Sequence, residues 1–183
     1  QVHGGMGFIE ETGAAQHMRD ARILPIYEGT NGIQALDFIG RKCLRDGGEG
    51  LSALLAEMAE IASVPTTSSR VKGLLSSLKV AIAQCREALA SVLDNPQRSA
   101  YSAYGFMMLF GNSVSYWLMV KLAIAAHKQI QLGSDEPFYR QKVATAQFFA
   151  TQLLTRNPAY LATVTGGIDY LQSVEAKDFI TVQ

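Results

Sequence analysis

Glu28 is the one carboxylate between Asp20 and Asp37, set in ILPIYEGTNGIQ between an apolar run and a glycine-bearing turn. A carboxylate in apolar surroundings is costly unless paired, and its pKa tends to rise. Two roles fit that setting. It stabilises the N-terminus of a helix beginning at Thr30 or Asn31, an effect of about 0.3–1 kcal/mol, or it acts as a base. Type and spacing leave both open. A second candidate is QVHGGMG, Gln1 to Gly7, where Gly4, Gly5 and Gly7 could bring backbone N–H groups close to a phosphate or a cofactor edge, or simply form a turn. No strand precedes it in a βαβ pattern, so a Rossmann reading finds no support.

Other residue types offer less. His3, His17 and His127 lack metal-ligand spacing, and Cys43 and Cys85 form no CxxC or Cys/His pattern, so no metal site is expected. Ser113 and Ser115 have no acid and base pattern beside them. The aromatics Tyr101, Tyr104, Phe106, Phe110, Tyr116 and Trp117 recur at helical spacing and are read as core.

The elements that must position these groups are helical. Thr12 is a plausible N-cap for a helix to Arg22, Pro25 should break it, and ILPIYEG should be an extended or turning connection. The next helix carries Ile33, Leu36, Phe38, Ile39 and Cys43 on its apolar face, and RDGGEG, Arg45 to Gly50, stops it. That hexapeptide marks the expected boundary between domains at 1–48 and 49–183. Beyond it come a short helix over 51–64 and a long one over 70–94, introduced by a cap in PTTSS. A third, bent near Gly111, runs from Pro96 to 131; a fourth ends near Arg156, and Asn157-Pro158 opens a shorter one to about 164. No strand pattern with hairpin turns occurs, so the fold class is all-α, with an up-down bundle from about residue 51.

With 183 residues, 48% of them hydrophobic, the chain can build a core; its 16 basic and 16 acidic residues cancel, leaving no global field for nucleic acid or an anionic membrane. Phe106 to His127 is long enough to span a bilayer, but it includes Asn112, Ser113, Ser115 and Lys121. A central lysine costs about 2.5–3.5 kcal/mol on insertion scales, so the segment is read as a buried bundle helix and no membrane span is expected. Cysteine usage suggests a reducing, cytoplasmic compartment. The chain begins at Gln1 without a signal peptide and reads as a piece of a longer protein.

Two blocks, QVHGGMG and RDARILPIYEGT at 19–30, stand in the order and at the distance found in the flavin-dependent acyl-CoA dehydrogenases, and residues 1–44 resemble the end of that family's catalytic helical domain. The resemblance implies that Glu28 is the base that removes the α-proton of an acyl-CoA thioester while the β-hydrogen leaves as hydride to FAD. Its own backbone N–H would be one donor to the thioester oxygen. The resemblance also implies Gly29 on the substrate side, Thr30 and Asn31 near the FAD pyrophosphate, and Gln1, Val2, His3, Gly4 and Gly5 at the adenosine half of an FAD held mainly by another subunit of a homo-oligomer. Gly32 stands where many members have glutamine, while Gln34 keeps its place.

Residues 51–183 resemble the C-terminal extension of longer bacterial members. Electron-transferring flavoprotein is the implied partner, and the isolated chain should be inactive and retain no FAD. Two alternatives remain: a helical interaction or oligomerisation module built on 51–183, and an acyl-CoA oxidase that passes electrons to oxygen.

Overall fold

A computed structural model describes residues 2–27, 30–167 and 174–175. Among the described residues every regular element is helical, as the pattern predicts: α1 (Ala14–Tyr27), α2 (Asn31–Arg41), α3 (Glu49–Ala62), α4 (Ser69–Asp94), α5 (Ser99–Gln131), α6 (Pro137–Gln152) and α7 (Asn157–Thr165), with short 3-10 turns between. The chain divides into two compact units, Gln1–Gln34 and Ala35–Gln183.

In the first unit, 3-10 turns at Gly4–Gly7 and Glu10–Thr12 lead into α1. Thr12 is not the N-cap of α1. Its hydroxyl donates to the carbonyls of Met6 and Ile9, both at 2.9 Å, and so ties the two turns together. Gly13, in the left-handed region at φ 75°, ends the second turn, and α1 starts one residue later. Nor does Pro25 break the helix, which runs through it to Tyr27. Proline's fixed φ is helical; what it lacks is an N–H for the carbonyl four residues back, at Ala21. Near a helix end that loss interrupts the ladder only once.

The second unit is organised on α5, a helix of 33 residues and about 50 Å. Helices α4, α6 and α7 all pack on it, and α3 lies chiefly on α4. Short connections at 95–98 and 132–136 return the chain, giving the expected up-down order. The expected turn signals work as read. Ser68 caps α4, its hydroxyl accepting from the Val71 N–H at 3.4 Å. In RDGGEG, Gly47 and Gly48 take φ 65° and 80°, and the Asp46 carboxylate accepts from the N–H groups of Gly48 and Gly50, each at 3.0 Å. That carboxylate satisfies donors that the start of α3 would otherwise leave open.

The buried face of α2 and the turn after it is Ala35, Ile39 and Cys43, whereas Ile33 and Leu36 are exposed and Phe38 is half-buried. The Phe38 ring meets those of Phe106 and Phe110 at 5.6 and 5.9 Å, so the end of α2 is keyed into the bundle by an aromatic cluster. Phe106, Phe110, Tyr116 and Trp117 are core as expected; Tyr101 and Tyr104 lie on the outside.

Among the described residues Asn157, Ser113 and Tyr116 are fully buried polar side chains in this core, and each is bonded. Asn157 donates to the Ser113 hydroxyl at 3.1 Å and accepts from the Asn112 amide at 3.2 Å, while Ser113 donates to the Leu109 carbonyl at 2.8 Å. The Tyr116 hydroxyl donates to the Leu74 carbonyl at 3.0 Å, joining α5 to α4. Burial pushes the Tyr116 phenol up to about 12.

At the crossing of α5 and α7, a Cβ on Gly105 would collide with the Thr163 hydroxyl and press on the Tyr160 carbonyl at 3.2 Å. Gly105→Val is therefore expected to destabilise the chain by about 1–3 kcal/mol. Gly73→Ala, at an exposed α4 position where the new Cβ meets nothing, should stabilise it by about 0.5–1 kcal/mol. Urea unfolding of both variants checks the pair.

Candidate functional site

Of the site residues expected from the sequence, Gln1, Glu28 and Gly29 lie outside the described residues. The others fall in the first compact unit. Val2 and His3 are exposed and lead into the Gly4–Gly7 turn. Gly4 has φ +57°, and a Cβ on either Gly4 or Gly5 would meet nothing within 4 Å, so the backbone here is open to close approach.

Thr30 precedes α2 and its carbonyl accepts the first helical bond, from the Gln34 N–H at 2.9 Å. Asn31 opens the helix. Both are exposed, the first turn carries no acidic residue, and a Cβ on Gly32 would also meet open space. A helix start carries backbone N–H groups and the positive end of the helix dipole, a setting that suits an anionic group.

A clasp that the sequence pattern did not flag holds the glycine-rich entry to α1. Arg19 donates to both carboxylate oxygens of Glu10, at 2.8 and 3.0 Å. The two are nine residues apart, a spacing with no helical signature, and only the turn at Gly13 brings them together. The Arg19 guanidinium, by hydrogen bond and then by charge, holds the Glu10 carboxyl below its ordinary range. Beside this clasp lies a cleft of about 480 Å³ bordered by Phe8, Ile9, Met18 and Arg19. Phe8 is 89% exposed and Met18 77%, and Leu24, Ile26 and Ile33 are also exposed. These apolar side chains lie on the surface of the first unit.

The histidines, Ser113 and the cysteines are scattered over the chain. Among the described residues no three His, Cys, Asp or Glu side chains are grouped to hold a metal. His3 and His17 are exposed and His127 is half-buried. Ser113 is committed to the Asn157 network. Cys43 and Cys85 are free thiols, both buried, and burial raises each to about 11.

The chain belongs to the acyl-CoA dehydrogenase family and matches its C-terminal region. Residues 54–174 match the family described as acetyl-CoA dehydrogenase C-terminal like, and residues 1–44 the acyl-CoA dehydrogenase C-terminal domain. Among curated proteins it is 42% identical to 3-methylmercaptopropionyl-CoA dehydrogenase of Ruegeria pomeroyi over 93% of this chain and 30% of that protein. It is 33% identical to a broad-specificity linear acyl-CoA dehydrogenase of Mycobacterium tuberculosis over 84% of this chain and 27% of that protein. The human mitochondrial short-chain specific acyl-CoA dehydrogenase matches over 40 residues only, at 55% identity, covering 22% of this chain and 10% of that protein. The chain thus spans 30% or less of the length of these relatives.

The two thiols give a pH prediction. Each is held neutral in the fold, with a pKa near 11 against an ordinary 9.0. Their contribution to stability is complete below about pH 9 and is lost as pH rises toward and through 11. The urea midpoint should therefore be flat from about pH 7 to 8.5 and fall from about pH 9 upward, less steeply in Cys85→Ala. A thiol reagent at about pH 8 should label neither cysteine until the chain is unfolded.

Proposed function

We propose that this chain is the C-terminal part of an FAD-dependent acyl-CoA dehydrogenase of the longer type, acting on acyl-CoA thioesters to give trans-2-enoyl-CoA, with electron-transferring flavoprotein as electron acceptor. The observation that carries the reading is the pair of blocks QVHGGMG and RDARILPIYEGT, at the family's order and distance, inside the match over residues 1–44.

In this reading Glu28 is the base. Its carboxylate takes the α-proton of the thioester, and its backbone N–H donates to the thioester oxygen as negative charge develops there. An α-proton is too weakly acidic for a carboxylate in water. The base must therefore sit where water is excluded and its pKa rises, while hydrogen bonds stabilise the enolate-like oxygen. Gly29, with no side chain, leaves the acyl chain room beside the base. Bound FAD supplies the acceptor for the β-hydride, so that two C–H bonds are exchanged for one C=C bond.

The described residues fit such a group. Val2, His3, Gly4 and Gly5 would lie along the adenosine half, where the open glycine backbone allows approach, and Gln1 would join them. Thr30 and Asn31 would meet the pyrophosphate at the start of α2. The exposed apolar side chains of the first unit would then be covered by the parent's other segments. The catalytic helical domain would end near residue 48, and 49–183 would form the additional bundle.

The test is flavin reduction by the intact parent enzyme under anaerobic conditions, with a panel that includes linear acyl-CoAs and 3-methylmercaptopropionyl-CoA. A matching substrate should bleach the flavin absorbance. Glu28→Gln should keep flavin bound and lose the bleaching by at least about 10²-fold; bleaching at the parent rate would remove Glu28 from its role. Rapid peroxide formation in air would assign an oxidase instead. The 183-residue chain alone should purify without flavin colour.

A further inference from the structure

A glycine-rich entry that is to meet a cofactor must keep one shape, and burial does not fix it here. Residues 2–12 are exposed apart from half-buried Gly7, and the segment carries three glycines, which have the most conformational freedom to lose. A relay of local contacts holds it instead. Gly7 lies against His3, where a Cβ would come within 3.2 Å of the His3 Cβ. The Thr12 hydroxyl joins the Gly4–Gly7 turn to the Glu10–Thr12 turn through the carbonyls of Met6 and Ile9. Gly13, at φ 75°, then reverses the chain, so that Glu10 returns alongside α1 and closes on Arg19.

We infer that Glu10 and Arg19 are positioning residues for the cofactor: their clasp sets the glycine-rich entry on α1 in the conformation that receives the adenosine half of FAD. The inference rests on the dehydrogenase reading. Neither side chain is among those expected to touch FAD or to remove the proton; they act through the residues they hold. The clasp is a fork, at 2.8 and 3.0 Å, which fixes direction as well as distance, and a lysine cannot reproduce that geometry. Its side chains are 58% and 71% exposed, and an ion pair so exposed adds little to stability. What it supplies is placement.

Placement matters because of where α1 leads. From Arg19 the helix runs about 12 Å to Tyr27, the residue before Glu28 in the sequence, so the clasp fastens the entry to the element that leads to the proposed base. Both belong to one compact unit, Gln1–Gln34. With the clasp cut, the entry samples many conformations, and FAD must order it on binding. Affinity falls by that ordering cost.

The test is titration of the flavin-stripped parent enzyme with FAD, followed by quenching of flavin fluorescence, beside thermal melting of the same apoenzyme. Arg19→Gln should raise the Kd for FAD by about 10-fold, with the melting temperature and helical circular dichroism unchanged. Arg19→Lys, which keeps the charge but not the fork, should restore only part of the affinity. Replacing Glu10 and Glu11 together by Gln, so that neither carboxylate can meet Arg19, should match Arg19→Gln and add nothing when combined with it. An unchanged Kd in Arg19→Gln, which would leave the entry held by other parts of the parent, overturns the inference. So does additive weakening in the combined variant, or a Kd that rises only in step with a lower melting temperature. A parent enzyme that takes up no FAD would instead overturn the dehydrogenase reading itself.

Discussion

A helix of 33 residues without a single carboxylate, in which aromatic, aliphatic and small side chains fill most positions, is stable in water only when it is wrapped. That requirement on α5 organises the larger unit. Helices α4, α6 and α7 cover its buried positions, α3 closes over α4, and the aromatic ring of Phe38 is recruited from the end of α2. By length and hydropathy alone α5 would also pass as a membrane span. The bonded polar groups along it, Ser113 within the Asn157 network and Tyr116 on the Leu74 carbonyl, instead fix how its neighbours dock. Leaving any of these groups unpaired in the core would cost more than the bond itself contributes, so the arrangement of helices around α5 is specified and not merely favoured.

Close approach sets the second condition. Gly105 lets α7 come against α5 where any side chain would collide with Thr163, and Asn157, the first residue of α7, reaches back into the same helix. The shortest helix of the bundle is thus held at its start by hydrogen bonds and along its length by shape. The first compact unit follows a different logic. It has little core and relies on local polar closure: the Thr12 hydroxyl across two turns and the Arg19 fork on Glu10. Phe8, Met18, Leu24 and Ile26 lie on its surface.

Much of the bundle was legible in the sequence because its signals are local. Ser68 as a cap, the Asp46-Gly47-Gly48 stop, Pro96 and Asn157-Pro158 as openings, and the recurrence of apolar residues about every 3.6 positions all act close to where they are read. The errors were local readings overruled by context. Thr12 has the right type for a helix cap but spends its hydroxyl on turn carbonyls, and Pro25 costs the helix one bond without ending it. The candidate site was legible in another way. The open backbone at Gly4 and Gly5 and the helix start at Thr30 follow from residue type, whereas the role proposed for Glu28 comes from the pairing of two motifs, since an isolated carboxylate before a turn serves equally well as a dipole partner.

By itself the sequence determined the all-helical class, the order and approximate limits of the helices, and the two blocks that mark the family, because turn chemistry, periodicity and motif spacing are written along the chain. Tertiary structure alone decided which face of each helix is covered. It put Ile39 inside and Ile33 outside, Phe106 in the core and Tyr104 on the surface, and it set Gly105 in a tight crossing while leaving Gly111 open. Burial is a property of what packs against a residue, and two glycines or two isoleucines a few positions apart carry no mark of their neighbours until the chain has folded.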